Sequence, residues 1–206
     1  MIAQISSSQM TPEEYLAFEE NSLVKHEYID GEIYAMSGTT DSHNTIAQNA
    51  QIALRLHLRG SGCDVYIADV KAQLTRRKNY YYPDVMVTCD SADKTDNLAK
   101  RFPKLIVEVL SDSTESFDRG DKFVDYQSFD SLEEYVLINT RHKRVEVFRR
   151  AEGGLWVLQI YRDDERDDEN GTEVMVEFRS VGLSVPLLEL YIDARLEAVE
   201  TTFPES

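Results

Sequence analysis

The sequence predicts one α/β domain, spanning 1–206, with a mixed central sheet flanked by helices, and three observations carry that reading. Two short runs, Tyr80-Tyr81-Tyr82-Pro83-Asp84-Val85-Met86-Val87 and Leu105-Ile106-Val107-Glu108-Val109-Leu110-Ser111, are rich in β-branched and aromatic residues and bounded by turn formers, which favours strands over helices. Both are apolar almost throughout, as suits a sheet covered on both faces. Segments with helical spacing precede and follow them. At 206 residues, 42% hydrophobic and 29% charged, the chain has the size and composition of a globular unit with one substantial core.

In chain order, residues 1–10 are polar and read as a loose N-terminus. Thr11-Pro12-Glu13-Glu14 supplies an N-cap, a proline at the first helical position and a glutamate that reaches back, so a short helix starts there. Lys25 to Tyr34 suits a strand pair turning at Asp30-Gly31. Asp41-Ser42 is placed to cap a longer helix ending at Gly60, with Ile46, Ala50, Ala53, Leu54 and His57 on one face. Asp64 to Leu74 reads as one strand, and the two apolar runs follow. Asp118 then caps a helix through Gln127 that carries Asp118, Lys122 and Tyr126 on one stripe. Glu134 to Asn139 and Val145 to Arg149 are the next strands, joined by a turn at Arg141-His142-Lys143-Arg144. After Gly153-Gly154 the pattern becomes a β-meander: Leu155 to Tyr161, an acidic turn from Asp163 to Glu169, and Glu173 to Phe178. An apolar segment, Pro186 to Ile192, and a peripheral tail from Arg195 to Ser206 complete the chain. The core is expected at about 41–150 and the C-terminal β additions at about 155–193. The chain has no Gly-rich phosphate loop and no Gly-x-Ser-x-Gly elbow, which excludes P-loop NTPase and α/β-hydrolase chemistry.

Glu108 is the most informative residue. A glutamate inside an apolar strand costs several kcal/mol as an isolated charge, so it must be paired, protonated or bound to a cation. If the two runs are neighbouring strands, Asp84 and Glu108 project toward the same end of the sheet, where two hard oxygen donors make a Mg²⁺ or Mn²⁺ site. The plainer alternative is a strand-entry turn at Pro83-Asp84 and a buried ion pair at Glu108.

A wider set of motifs surrounds these residues: Met10-Thr11-Pro12-Glu13-Glu14-Tyr15, Glu27-Tyr28-Ile29-Asp30-Gly31-Glu32, Pro83-Asp84-Val85, Ile106-Val107-Glu108-Val109-Leu110-Ser111 and Asp118-Arg119-Gly120-Asp121-Lys122. In this order and spacing, from Met10 to about Arg150, the chain resembles the Uma2 (DUF820) branch, abundant in cyanobacteria, of the PD-(D/E)XK superfamily. That resemblance implies a restriction-endonuclease-like core of order αβββαβ, extended here by an N-terminal helix and hairpin and the C-terminal meander. It also implies a metal-dependent endonuclease acting on nucleic acid, DNA foremost, with Asp84, Glu108 and the Val109 carbonyl holding Mg²⁺ or Mn²⁺. One departure stands out: Leu110 occupies the position of the superfamily's lysine two residues after the glutamate. The resemblance moves that role to Lys122, makes Glu27 an outer acidic member and turns His43 toward the cleft as a phosphate contact. Read without the resemblance, Glu27 is an exposed strand charge, His43 a helix-start residue and Lys122 an exposed helix lysine paired with Asp118.

The net charge of -16 argues against nonspecific duplex binding, which is mostly neutralisation of phosphates. From Lys71 to Lys104, however, eight basic residues face four acidic ones, leaving that window at +4 and the remainder at -20. It is either a basic lip beside the site or a set of solvated turns. Cys63 and Cys89 fit no disulfide framework or zinc spacing and read as reduced, buried and structural. No apolar run spans a membrane and no leader pattern is visible, so the expected setting is cytoplasmic. The apolar stretch Leu183 to Ile192 lies outside the core accounted for and suggests a homodimer contact. Leu110 and the overall acidity support a competing class: a catalytically idle DNA-binding or protein-interaction module that keeps the fold.

Overall fold

The computed structural model describes residues 3–4, 9–163 and 173–196. In chain order its elements begin with β1 (Ala3–Gln4), α1 (Pro12–Asn21), β2 (His26–Ile29), β3 (Glu32–Ala35) and α2 (Asp41–His57). Next come β4 (Asp64–Ile67), β5 (Lys71–Gln73), β6 (Tyr80–Tyr81), β7 (Val85–Thr88), β8 (Ala99–Lys100) and β9 (Pro103–Leu110). The remainder is α3 (Glu115–Arg119), α4 (Asp121–Tyr126), β10 (Glu134–Asn139), β11 (Arg144–Arg150), β12 (Trp156–Arg162), β13 (Met175–Phe178) and β14 (Leu183–Pro186). Among the described residues the strands form a six-stranded mixed sheet β12-β11-β10-β9-β7-β4, a second six-stranded sheet β1-β3-β2-β6-β5-β8, and the pair β13-β14.

The expected order αβββαβ is present in the mixed sheet as α2, β4, β7, β9, the α3–α4 pair and β10. β9 lies centrally, antiparallel to β7 and parallel to β10. Its alternation sorts residues to two faces. Leu105, Val107 and Val109 join Val85, Val87, Val136 and the α2 residues Ile46, Ala50 and Leu54 in one apolar cluster. Ile106 and Leu110 join Met86, Tyr135, Leu137 and the α4 residue Tyr126 in the other. Each fully buried Leu or Ile in these layers contributes about 1.5–3 kcal/mol. α1 carries the expected capping box between Thr11 and Glu14.

Several boundaries differ from the sequence reading. The stretch Tyr80 to Val87 is two strands: β6 in the second sheet and β7 in the mixed sheet, separated where Pro83, lacking an N–H, cannot continue a ladder. Asp64 to Leu74 is likewise split into β4 and β5. α2 is capped by Thr40 rather than Asp41-Ser42, ends at His57, and leaves His57 exposed, in contact with the Val181 carbonyl at 3.0 Å. Asp118 does not cap the helix that follows; it is buried within α3, and the helix breaks at Gly120 before α4 begins. Ala3–Gln4, read as loose, pairs with β3. The acidic turn beyond Asp163 and the tail beyond Leu196 lie outside the described residues.

The segment Leu183 to Ile192 belongs to the main core: Val185, Leu187, Leu190 and Tyr191 are buried in the α2-side cluster, so the motive for a homodimer contact there falls away. The Tyr191 hydroxyl donates to the Asn139 carbonyl at 2.9 Å, pinning this segment to the end of β10.

Cys63 and Cys89 are disulfide-bonded and partly buried, not reduced and buried. Antiparallel pairing of Asp64 with Thr88 sets the two cysteines opposite each other one step beyond the ladder. They lie 26 residues apart in sequence, and closing a loop of that size stabilises by about 3 kcal/mol through loss of unfolded-chain entropy. Reduction, or Cys63→Ser, should therefore lower the melting temperature by several degrees; calorimetry with and without reductant measures it, and an unchanged transition would show that the bond contributes nothing.

Candidate active site

Six segments, β2, α2, the entry to β7, β9, α3 and α4, converge where the two sheets meet. Glu108 is on the α4-facing side of β9, between Ile106 and Leu110, and is 3% exposed. α4 crosses that face and carries Lys122 and Tyr126 down to it. Lys122 Nζ lies 2.9 Å from Glu108 Oε1, 3.2 Å from Glu27 Oε1 and 3.6 Å from Asp118 Oδ1. The Tyr126 hydroxyl donates to Glu108 Oε1 at 2.9 Å. Lys122 is thus not an exposed helix lysine but 6% exposed, and Leu110, on the same face as Glu108, is packed into the apolar layer. The ammonium reaches the glutamate from the helix instead of from the strand.

Asp84 stands just ahead of β7. Its Oδ2 accepts the Val109 N–H at 2.8 Å, and its own N–H donates to Glu108 Oε2 at 3.3 Å, so Asp84 is tied both to Glu108 and to the backbone of the next residue on β9. His43, in the first turn of α2, places Nε2 3.2 Å from Asp84 Oδ2, and its buried Nδ1 has no hydrogen-bond partner. Glu27, on β2 of the second sheet, accepts the Tyr82 N–H at 3.2 Å and is buried, not an exposed strand charge. All five side chains singled out in the sequence therefore meet. Asp118 and Tyr126 were read as cap and stripe; the i, i+4 spacing Asp118-Lys122-Tyr126 was the signal that they belong to the same cluster.

Tyr82 and Asp84 line the cleft, but none of the eight basic residues from Lys71 to Lys104 does. Members of that window are spent locally: Arg76 on Asp130, Arg77 on Asp125, Lys78 on Glu13, Arg101 on Asp96 and Lys104 on Glu133. Lys100 is buried and donates to the Asp93 carbonyl. The solvated-turn reading describes most of the window.

Burial dominates the electrostatics. It pushes Glu108 up to about 8, with Asp84 and Asp118 adding to the rise and Lys122 opposing it. Glu27 and Asp118 are raised by burial as well. Burial would pull Lys122 down, but Glu108, Glu27, Tyr126 and Asp118 outweigh it and hold the ammonium charged. Burial likewise lowers His43, and the hydrogen bond and charge of Asp84 reverse the sign, leaving it raised. Three carboxylates therefore share one ammonium, and the cluster retains a proton near neutrality.

That proton sets a pH dependence. A carboxyl raised in the folded state gives stability that is complete below its ordinary 4.5 and is lost as pH rises through about 8. His43, raised above 6.5, acts in the same direction. The melting temperature of cation-free protein should fall from mildly acidic to mildly basic pH, and Glu108→Gln should flatten the fall. A thermal series across that range checks it; an identical slope in Glu108→Gln would refute it.

Among the described residues no three His, Cys, Asp or Glu side chains form a ready cation cage. Asp84 and Glu108 could hold one hard ion: they are adjacent carboxylates on a cleft of about 670 Å³, and in the cation-free protein burial, with Asp84 and Asp118, raises Glu108 against the opposing charge of Lys122. Mg²⁺ is commonly held by one or two carboxylates and completed by water and phosphate oxygens.

A family model described as Uma2, "Putative restriction endonuclease", matches residues 12–185. The Synechocystis sp. protein slr1290 is 36% identical over 194 residues, covering 93% of this chain and 97% of its own. A second protein of that organism, sll1609, is 34% identical over 160 residues, covering 77% and 90%. A crystal structure from Anabaena variabilis, described as a "putative nuclease belonging to DUF820", superposes with a TM-score of 0.69 at 16% identity, covering 89% of this chain and 98% of that one, and shares the fold.

Proposed function

From a chain that belongs to the Uma2 family, and whose cleft ends on a carboxylate–lysine cluster, we propose hydrolysis of nucleic-acid phosphodiester bonds. The observation that carries this is Lys122 Nζ at 2.9 Å from Glu108, with Asp84 fixed beside it by the Val109 N–H. A buried lysine that reaches the acid of a central strand from a helix, where the strand itself offers only Leu110, supports this reading, because phosphoryl chemistry uses a cation beside carboxylates.

In this reading Asp84, Glu108 and the Val109 carbonyl hold Mg²⁺ or Mn²⁺. Such an ion, when bound, polarises the scissile phosphate and acidifies a water. Lys122 keeps its proton and places positive charge where the equatorial phosphate oxygens gain negative charge. His43 lines the cleft with its Nε2 on Asp84, which orients the ring beside a phosphate oxygen or the leaving group. Glu27 and Asp118 hold the lysine over Glu108. The substrate in this reading is DNA or RNA.

Labelled DNA and RNA incubated with Mg²⁺, with Mn²⁺ and with chelator test this. Cleavage should occur with either ion and cease with chelator. Intact substrate under every condition would favour the interaction-module alternative, which the overall acidity of the chain still supports.

A further inference from the structure

The mouth of the cleft differs in chemistry from its floor. Leu23, at 104% of full exposure, and Val24, half exposed, stand on the turn between α1 and β2 and line the cleft together with Met36 and Phe117. The turn is fixed in place. Ser22 Oγ donates to the Val24 carbonyl at 2.7 Å and accepts the Val24 N–H at 3.2 Å, and Lys25 donates to the Ala68 carbonyl at 3.1 Å. Grouped at one cleft mouth, Leu23, Val24, Met36 and Phe117 form an apolar rim, and an apolar partner that met it would remove its surface from water.

The same mouth is poor in available cations. Lys25 is engaged with Asp69 and Lys122 with three carboxylates, while Glu27, Asp84, Glu108, Asp112 and Asp118 all line the cleft. Duplex binding draws its affinity from rows of Lys and Arg along the phosphates, and among the described residues no such row lines this cleft. An unpaired strand offers what a duplex hides, the flat faces of its bases, and a base stacked on an aromatic side chain adds about 1–3 kcal/mol that does not come from phosphate neutralisation.

We propose that the cleft takes single-stranded nucleic acid, with an unpaired base seated on Leu23, Val24, Met36 and Phe117 while the adjoining phosphate reaches Asp84 and Glu108. The hydrolytic reading supplies the floor; the rim supplies the choice of strand. The experiment measures binding to the wild-type protein by fluorescence anisotropy with Ca²⁺ as the hard cation, with each ligand checked afterwards to be uncut. Its ligands are labelled single-stranded DNA and RNA and the matching hairpin duplexes, each at low and high salt. Single strands should bind about tenfold or more tighter than duplex, with a shallow salt dependence worth about one or two phosphates. Adding Leu23→Ser and Val24→Ser, both at exposed positions, should erase most of that preference. Equal or tighter duplex binding, a preference untouched by the rim substitutions, or no binding of either form would overturn the proposal. Wild-type cleavage separates the two readings: duplex cut as readily as single strand leaves hydrolysis standing and the inference fallen. Single strand bound on the rim but never cut with Mg²⁺ or Mn²⁺ does the reverse.

Discussion

Lys122→Ala should destabilise the protein by about 3–5 kcal/mol near neutral pH, the usual cost of removing one partner from a buried ion cluster. An exposed helix lysine paired with Asp118, the reading without the resemblance, would cost only tenths of a kcal/mol to lose. In the fold Lys122 is the cation nearest Glu27, Glu108 and Asp118, all three of them buried. Without it the carboxylates escape repulsion and desolvation only by taking up protons, so the deficit should shrink in mild acid and grow in mild base. Lys122→Met combined with Glu108→Gln should recover much of the loss, because replacing both partners leaves no orphaned charge. Denaturant titrations at several pH values measure this, and an Ala variant as stable as wild type throughout would mean the lysine is not the charge that holds the cluster.

Asp84→Asn should abolish stabilisation by divalent cations and slow cleavage by about 10²–10³-fold or more. At a cation concentration one hundred times its Kd, wild type should gain about 2.7 kcal/mol by mass action. The asparagine still presents an oxygen to the Val109 N–H, so folding is largely preserved. It no longer offers the negative charge that raises His43, which should titrate at lower pH than in wild type. Thermal shift with Mg²⁺ and Mn²⁺, read beside the cleavage rate, checks both effects. Equal cation-induced shifts in wild type and variant would remove Asp84 from the ion site.

The components of the site were legible before the fold because each broke a local rule. Glu108 interrupted an apolar strand, Asp84 followed a proline at a strand entry, and Lys122 shared a helical stripe with an acid and a tyrosine. Less legible was how deeply the stripe is buried. An i, i+4 Asp–Lys pair has the same spacing on a solvated helix as on one pressed against a sheet, and only the glutamates across from it decide which. The break at Tyr82-Pro83-Asp84 was hidden because the chain stays apolar as it passes from one sheet to the other, both being covered there. Pairing of Cys63 with Cys89 depended on the register of β4 against β7, which neither cysteine's neighbours reveal. The basic window misled for a related reason: charges clustered in sequence were distributed by tertiary contacts onto separate acids. Leu183 to Ile192 looked surplus only because the α2 face that it covers could not be counted from the sequence.

The most direct test of a hydrolytic site centred on Glu108, Asp84 and Lys122 is the single-turnover cleavage rate at saturating labelled oligonucleotide and Mn²⁺, compared among wild type, Lys122→Arg and Lys122→Ala. Circular dichroism would confirm in parallel that each protein is folded at the assay temperature. Folded Lys122→Ala should cleave about 10²-fold or more slowly, with Lys122→Arg between the two because it keeps the charge but not the compact ammonium. A folded Lys122→Ala protein that cleaves as fast as an active wild type would contradict the assignment.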